Sequence, residues 1–115
     1  LVGGAAKQSE NAELHHFAFE VATLDEVFKA RGHLVRHGVA LDFEGRRRAG
    51  QQIALEFQDP DGHRIEICWG MDQIMPDAPA RPAEEWREAF SLEDAVRKPP
   101  PGQEIHISDP SLMRE

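Results

Sequence analysis

The chain has 115 residues, enough for one small domain, and its 21 acidic against 13 basic residues give a formal net charge of −8. With the basic residues scattered, apart from Arg46-Arg47-Arg48, this balance argues against a nucleic-acid partner. A single cysteine, Cys68, can close no internal disulfide and forms no zinc-type spacing, and no stretch approaches the ~20 apolar residues of a membrane span, so a soluble cytoplasmic protein without a membrane partner is expected.

Residues 1–12 are small and polar without a period, lack the basic lead and apolar run of a signal peptide, and are expected to form a linker or strap. Starting at Leu rather than Met, the chain is open to being either a whole protein or a piece of something longer. Residues 13–70 carry the regular pattern. Leu14 to Val21 alternate as a strand, and Thr23-Leu24-Asp25-Glu26 is a capping-box signature that opens a helix. Leu24, Val27, Phe28, Leu34 and Val35 share one face of that helix, and Gly38 is the expected stop. A strand over 39–44 puts Val39, Leu41 and Phe43 on one side, and residues 45–50 form a loop carrying the three arginines. A strand over 52–57 alternates Ile53, Leu55 and Phe57 with Gln52, Ala54 and Glu56. Asp59-Pro60-Asp61-Gly62 turns the chain into a last strand, His63 to Trp69. The order is βαβββ, an α+β class. Residues 71–115 form a Pro-rich, partly helical tail, with a helix predicted over 83–90 that places Trp86 and Phe90 on one face and a second opened by Ser91. The final dozen residues are expected to be extended or mobile, and the tail to pack across its own domain or a neighbour.

The alternation sets His16 and Glu66 on the sheet face opposite Phe17, Phe19, Val21, Ile65 and Ile67. One imidazole and one carboxylate on a shared surface are half of a 2-His-1-carboxylate metal centre. Glu20, Glu56 and Glu66 crowd that face, which costs electrostatic energy unless a cation or Arg64 compensates. The residues alone therefore leave two readings open, a divalent ion or a solvated polar face with Glu56 paired to Arg64. His15 points to the opposite face, His33 and His37 belong to a solvated helix face, and His63 stands at the mouth of the hairpin as a candidate substrate contact.

The run Leu14-His15-His16-Phe17-Ala18-Phe19-Glu20-Val21, the hairpin Phe57-Gln58-Asp59-Pro60-Asp61-Gly62-His63-Arg64-Ile65-Glu66 and their separation resemble the vicinal oxygen chelate superfamily of glyoxalases, bleomycin-resistance proteins and type I extradiol dioxygenases. The likeness is strongest to the last module of an extradiol catechol dioxygenase and extends loosely through Arg81-Pro82 and Glu85-Trp86. It implies a single βαβββ module in which His16 and Glu66 ligate Fe(II) or Mn(II), with Zn or Ni as alternatives, and a second histidine comes from a preceding module or a homodimer partner. It also implies a catalytic histidine at about the position of Arg47 and a tyrosine at that of Glu56. An arginine and a glutamate are not chemical stand-ins for those groups, so ordinary ring cleavage is in doubt even with metal bound.

The function expected is thus a metal-dependent dioxygenase-like or glyoxalase-like protein acting on a small aromatic or oxygen-chelating substrate. Its alternatives are a non-catalytic, bleomycin-resistance-like binding module, a domain kept for assembly, and the C-terminal piece of a multi-module dioxygenase.

Overall fold

The computed structural model describes residues 16–47, 50–73 and 80–114, with His16 described by its backbone alone. The expected readings of His15, Arg48 and the N-terminal strap lie outside the described residues.

Among the described residues four strands and two α-helices follow in the order β1 (His16–Glu20), α1 (Leu24–Arg36), β2 (Leu41–Arg46), β3 (Ile53–Gln58), β4 (Arg64–Trp69) and α2 (Leu92–Arg97). The strands make one sheet in the order β1-β4-β3-β2, with β1 parallel to β4 and the other neighbours antiparallel. A chain that must place β1 beside β4 needs a crossover, and α1 supplies it by packing over β3 and β4. Its start is fixed as the capping box requires: the Glu26 carboxylate accepts from the Thr23 backbone N–H at 2.9 Å and from its hydroxyl at 3.2 Å.

Leu24, Val27 and Phe28 of α1 are buried against Ile53 and Leu55 of β3, and Ala89, Leu92 and Ala95 complete the core. Each fully buried large side chain contributes about 1.5–3 kcal/mol. The polar contacts between these layers are ionic: Arg31, 2% exposed, bonds both Glu93 oxygens from α2 at 2.9 and 2.5 Å and Glu44 from β2 at 2.8 Å. Burial opposes ionisation of Glu93, but Arg31 and the Arg114 backbone N–H outweigh it and bring the carboxyl down to about 2.

Two expectations are corrected. The 39–44 strand begins at Leu41, and its register shifts between Leu41, which faces Phe57, and Phe43, which faces Glu56. One slipped residue moves every later side chain to the other face. Phe43 therefore joins the polar face, while Glu44 and Arg46 turn into the core layer. The predicted 83–90 helix is only a 3-10 turn, Ala83–Glu85. The reason lies outside the segment: the Arg87 N–H goes to Gln51 Oε1 at 2.8 Å, and Ala89 pairs with Arg46 through backbone bonds of 2.9 and 3.4 Å. Gly45 allows this close approach, because a Cβ there would meet the Ala89 carbonyl oxygen at 2.0 Å. The helix opened by Ser91 forms, its hydroxyl accepting from the Asp94 N–H at 3.1 Å.

The final described residues are tied down and include a 3-10 turn at Pro110–Leu112. Ser108 and Asp109 N–H groups donate to the Asp25 carboxylate in the first turn of α1 at 2.8 and 3.0 Å, and these bonds hold it below the usual range. Ile105, Ile107, Leu112 and Met113 pack on the core. Arg46, 1% exposed, fastens the same layer by donating to the carbonyls of Gln51 at 2.9 Å and Ala95 at 2.5 Å and to the Gln103 amide oxygen. Burial lowers this guanidinium to about 10. The helices α1 and α2, with Ile105, Ile107, Leu112 and Met113, thus lie on one face of the sheet, and the other face carries the candidate site.

Candidate metal centre

Pairing register defines that second face. Glu66 stands opposite Ala18 on β1 and opposite Glu56 on β3, and Cys68 stands opposite Glu20 and Ala54. His16 holds the register position opposite Arg64, one alternation before Ala18, so its backbone is one diagonal step from Glu66 on the same face. The His16 side chain lies outside the described residues.

Glu56 and Glu66 are 4% and 5% exposed, and two buried carboxylates directly across a strand pair repel each other unless compensated. Compensation for Glu56 comes from Arg47, not from Arg64, which is exposed. Arg47 Nε reaches Glu56 Oε2 at 2.9 Å and Nη2 reaches Oε1 at 2.6 Å, a bidentate pair. The guanidinium also stacks on Phe43, 3.7 Å from its centroid, a contact that exists because of the β2 bulge.

Glu66 is held differently. Its Oε2 accepts from Gln52 Nε2 at 3.0 Å, with the Ala54–Cys68 pair lying between the two residues in the ladder. Cys68 is 1% exposed, and burial, with Glu66 and Glu20 nearby, pushes its thiol up to about 11. The face thus sets a buried carboxylate bonded by the Gln52 amide beside a second carboxylate paired with Arg47.

His63 goes elsewhere. Its ring meets Phe17 edge-on at 5.9 Å between centroids, and its Nδ1 lies 3.1 Å from Asp59 Oδ2. Asp59, Asp61 and His63 bring three ligand-type atoms within 4.8 Å of one another. Asp59 also accepts the Asp61 and His63 backbone N–H groups at 2.9 and 2.8 Å, as a turn-forming aspartate does. The structure therefore brings Arg47 to Glu56 and leaves His63 with the hairpin turn. Gln52 was legible only as a member of the polar alternation; its reach to Glu66 depends on the small pair between them.

A crossover helix on one side of a β1-β4-β3-β2 sheet, with a polar opposite face, defines a single α+β module of the vicinal oxygen chelate type. The family model described as Glyoxalase/Bleomycin resistance protein/Dioxygenase superfamily matches residues 2–67, more than half of the chain, and the chain belongs to that superfamily. Among solved structures it is similar to a catechol 2,3-dioxygenase, with 20% identity and a TM-score of 0.54 over 69% of this chain and 25% of that one. It is likewise similar to the 2,3-dioxygenase LapB from Pseudomonas sp. KL28, with 22% identity and a TM-score of 0.52 over 70% of this chain and 26% of that one. The chain spans about a quarter of the length of these dioxygenases. No curated protein sequence matches it significantly. No helix among the described residues is long and apolar enough to cross a membrane.

Proposed function

We propose that this chain supplies one half of a divalent-metal centre and binds a small aromatic or oxygen-chelating substrate there. Glu66 and His16 are the ligands in this reading, for Fe(II) or Mn(II) with Zn or Ni as alternatives, and the remaining ligands come from a second copy or a preceding module. The observation that carries it is Glu66 itself, a carboxylate 5% exposed on the sheet face whose register includes His16, beside a Glu56 already neutralised by Arg47. A bound metal would supply Lewis acidity toward two vicinal oxygens.

The chain's own groups do the rest. Arg47 has Nε and Nη2 committed to Glu56 while its side chain is 42% exposed, so its outer edge can orient an anionic substituent without bringing net charge to the site. His63, at the mouth of the hairpin with its ring edge-on to Phe17 and its Nδ1 beside Asp59, is the substrate contact in this reading. The protein works in the cytoplasm in this reading, in keeping with a lone, buried cysteine.

A second reading, a non-catalytic binding module, is favoured by the same ion pair. Arg47 and Glu56 stand where the family resemblance implies a proton-handling histidine and tyrosine, and each is consumed by the other.

Glu66→Gln tests the centre, because a neutral isostere keeps the packing and removes the anionic ligand. Elemental analysis of purified protein should find metal in the parent and little in the variant. Equal metal content would overturn the assignment.

A further inference from the structure

Gln52 immediately precedes β3 and is 8% exposed. Its Nε2 donates to Glu66 Oε2 at 3.0 Å, while its Oε1 is buried with no hydrogen-bond partner. An ionised carboxylate only accepts, so the amide must turn its N–H toward Glu66 and its carbonyl away. A buried carbonyl without a donor is destabilising. An apolar side chain of the same length would avoid that cost, so the N–H end is what this position keeps.

The backbone that aims Gln52 is over-determined. Gly50 and Gln51 both adopt left-handed conformations, φ 80° and 56°, a costly choice for the glutamine. The Gln51 carbonyl is held by Arg46 at 2.9 Å and Gln103 at 3.1 Å, its Oε1 by the Arg87 N–H at 2.8 Å, and its Nε2 by the Arg47 carbonyl at 3.1 Å. The left-handed φ favours glycine at Gly50, where a Cβ would stand 2.7 Å from Gln52 Oε1 and push that amide aside. A rigid turn therefore delivers one N–H to one carboxylate oxygen.

We infer that Gln52 is a positioning residue for the metal ligand Glu66, fixing the orientation of its carboxylate through the bond to Oε2; this rests on the reading of Glu66 as a ligand. Partners that orient a ligating carboxylate in this way raise metal affinity by about 10–100-fold.

The test uses the full chain and Co(II) as the probe, followed by titration and visible absorption. Gln52→Met keeps the length and removes the donor. It should bind Co(II) about 10–100-fold more weakly with a changed visible spectrum while retaining a cooperative melt. Gln52→Asn keeps the amide but is one methylene short, and should show the same loss; it decides the matter if the methionine variant does not fold. A purely structural role would lower the melting temperature and leave the spectrum and affinity of the folded protein at the parent values, which would overturn the inference. Glu66→Gln is the reference: loss of Co(II) there with parent-like binding in the Gln52 variants sinks only the role of Gln52. Parent-like binding by Glu66→Gln sinks the metal-centre reading itself.

Discussion

Arg47 and Glu56 clasp each other through two hydrogen bonds of 2.9 and 2.6 Å on the sheet face that carries Glu66. The pair neutralises one of two buried carboxylates on neighbouring strands and so reduces their repulsion. Removing one partner of a buried pair costs about 3–5 kcal/mol, but the Arg47 side chain is 42% exposed and water screens part of the loss. Arg47→Met should therefore destabilise the fold by about 1–2 kcal/mol in urea denaturation. Adding Glu56→Leu should recover most of that. Additive losses in the double variant would show that the two residues act independently.

Much of this arrangement was legible in the sequence, because strand alternation and the turn at Asp59-Pro60-Asp61-Gly62 depend on neighbours in the chain. The α1 capping box, the β3 and β4 faces and the placing of Glu66 with Glu56 follow from such local rules. The β2 bulge does not, since a one-residue slip leaves the apolar spacing of Leu41 and Phe43 unchanged while moving Phe43 to the other face. That slip makes Phe43 the platform for Arg47. The spacing of Trp86 and Phe90 was misleading for a similar reason: their segment gives its N–H groups to Gln51 and Arg46, which are distant in sequence.

The acid limb of stability should belong largely to Glu93. Its carboxyl titrates near 2 in the folded chain against an ordinary value of 4.5, so the stabilisation is complete above about pH 4.5 and is lost as pH falls toward 2. The shift corresponds to at most about 3 kcal/mol. Glu93→Gln should lower stability at neutral pH and flatten the dependence between pH 5 and pH 2 (roughly the window between the two states). An unchanged acid limb in urea midpoints measured across that range would assign the dependence to other carboxylates.

Catechol and 2,3-dihydroxybiphenyl should be cleaved slowly or not at all by protein reconstituted with Fe(II) under anaerobic conditions and then exposed to oxygen. Neither arginine nor a glutamate locked to it is suited to moving protons at neutral pH, and a positioned acid–base group is worth about 10²–10⁴-fold in rate. Brisk formation of the yellow ring-opened product would show that proton transfer does not depend on these two positions.

Assembly follows from the edge of the sheet. Among the described residues β1 is an outer strand, and its Phe17 and Phe19 are 41% and 55% exposed, so the described sheet ends in an edge flanked by apolar rings. In the proposed reading one such module offers His16 and Glu66, whereas a 2-His-1-carboxylate centre takes three protein ligands. A symmetric pair would place two histidines and two glutamates around one centre and cover the exposed edge at about 25 cal/mol per Å² of apolar area. A preceding module in a longer chain would cover the same surface. Light scattering on the 115-residue chain with metal present should give the mass of two chains, and Phe19→Lys should shift it toward one with loss of bound metal. A compact monomer that holds metal as tightly as the parent would rule out a shared centre.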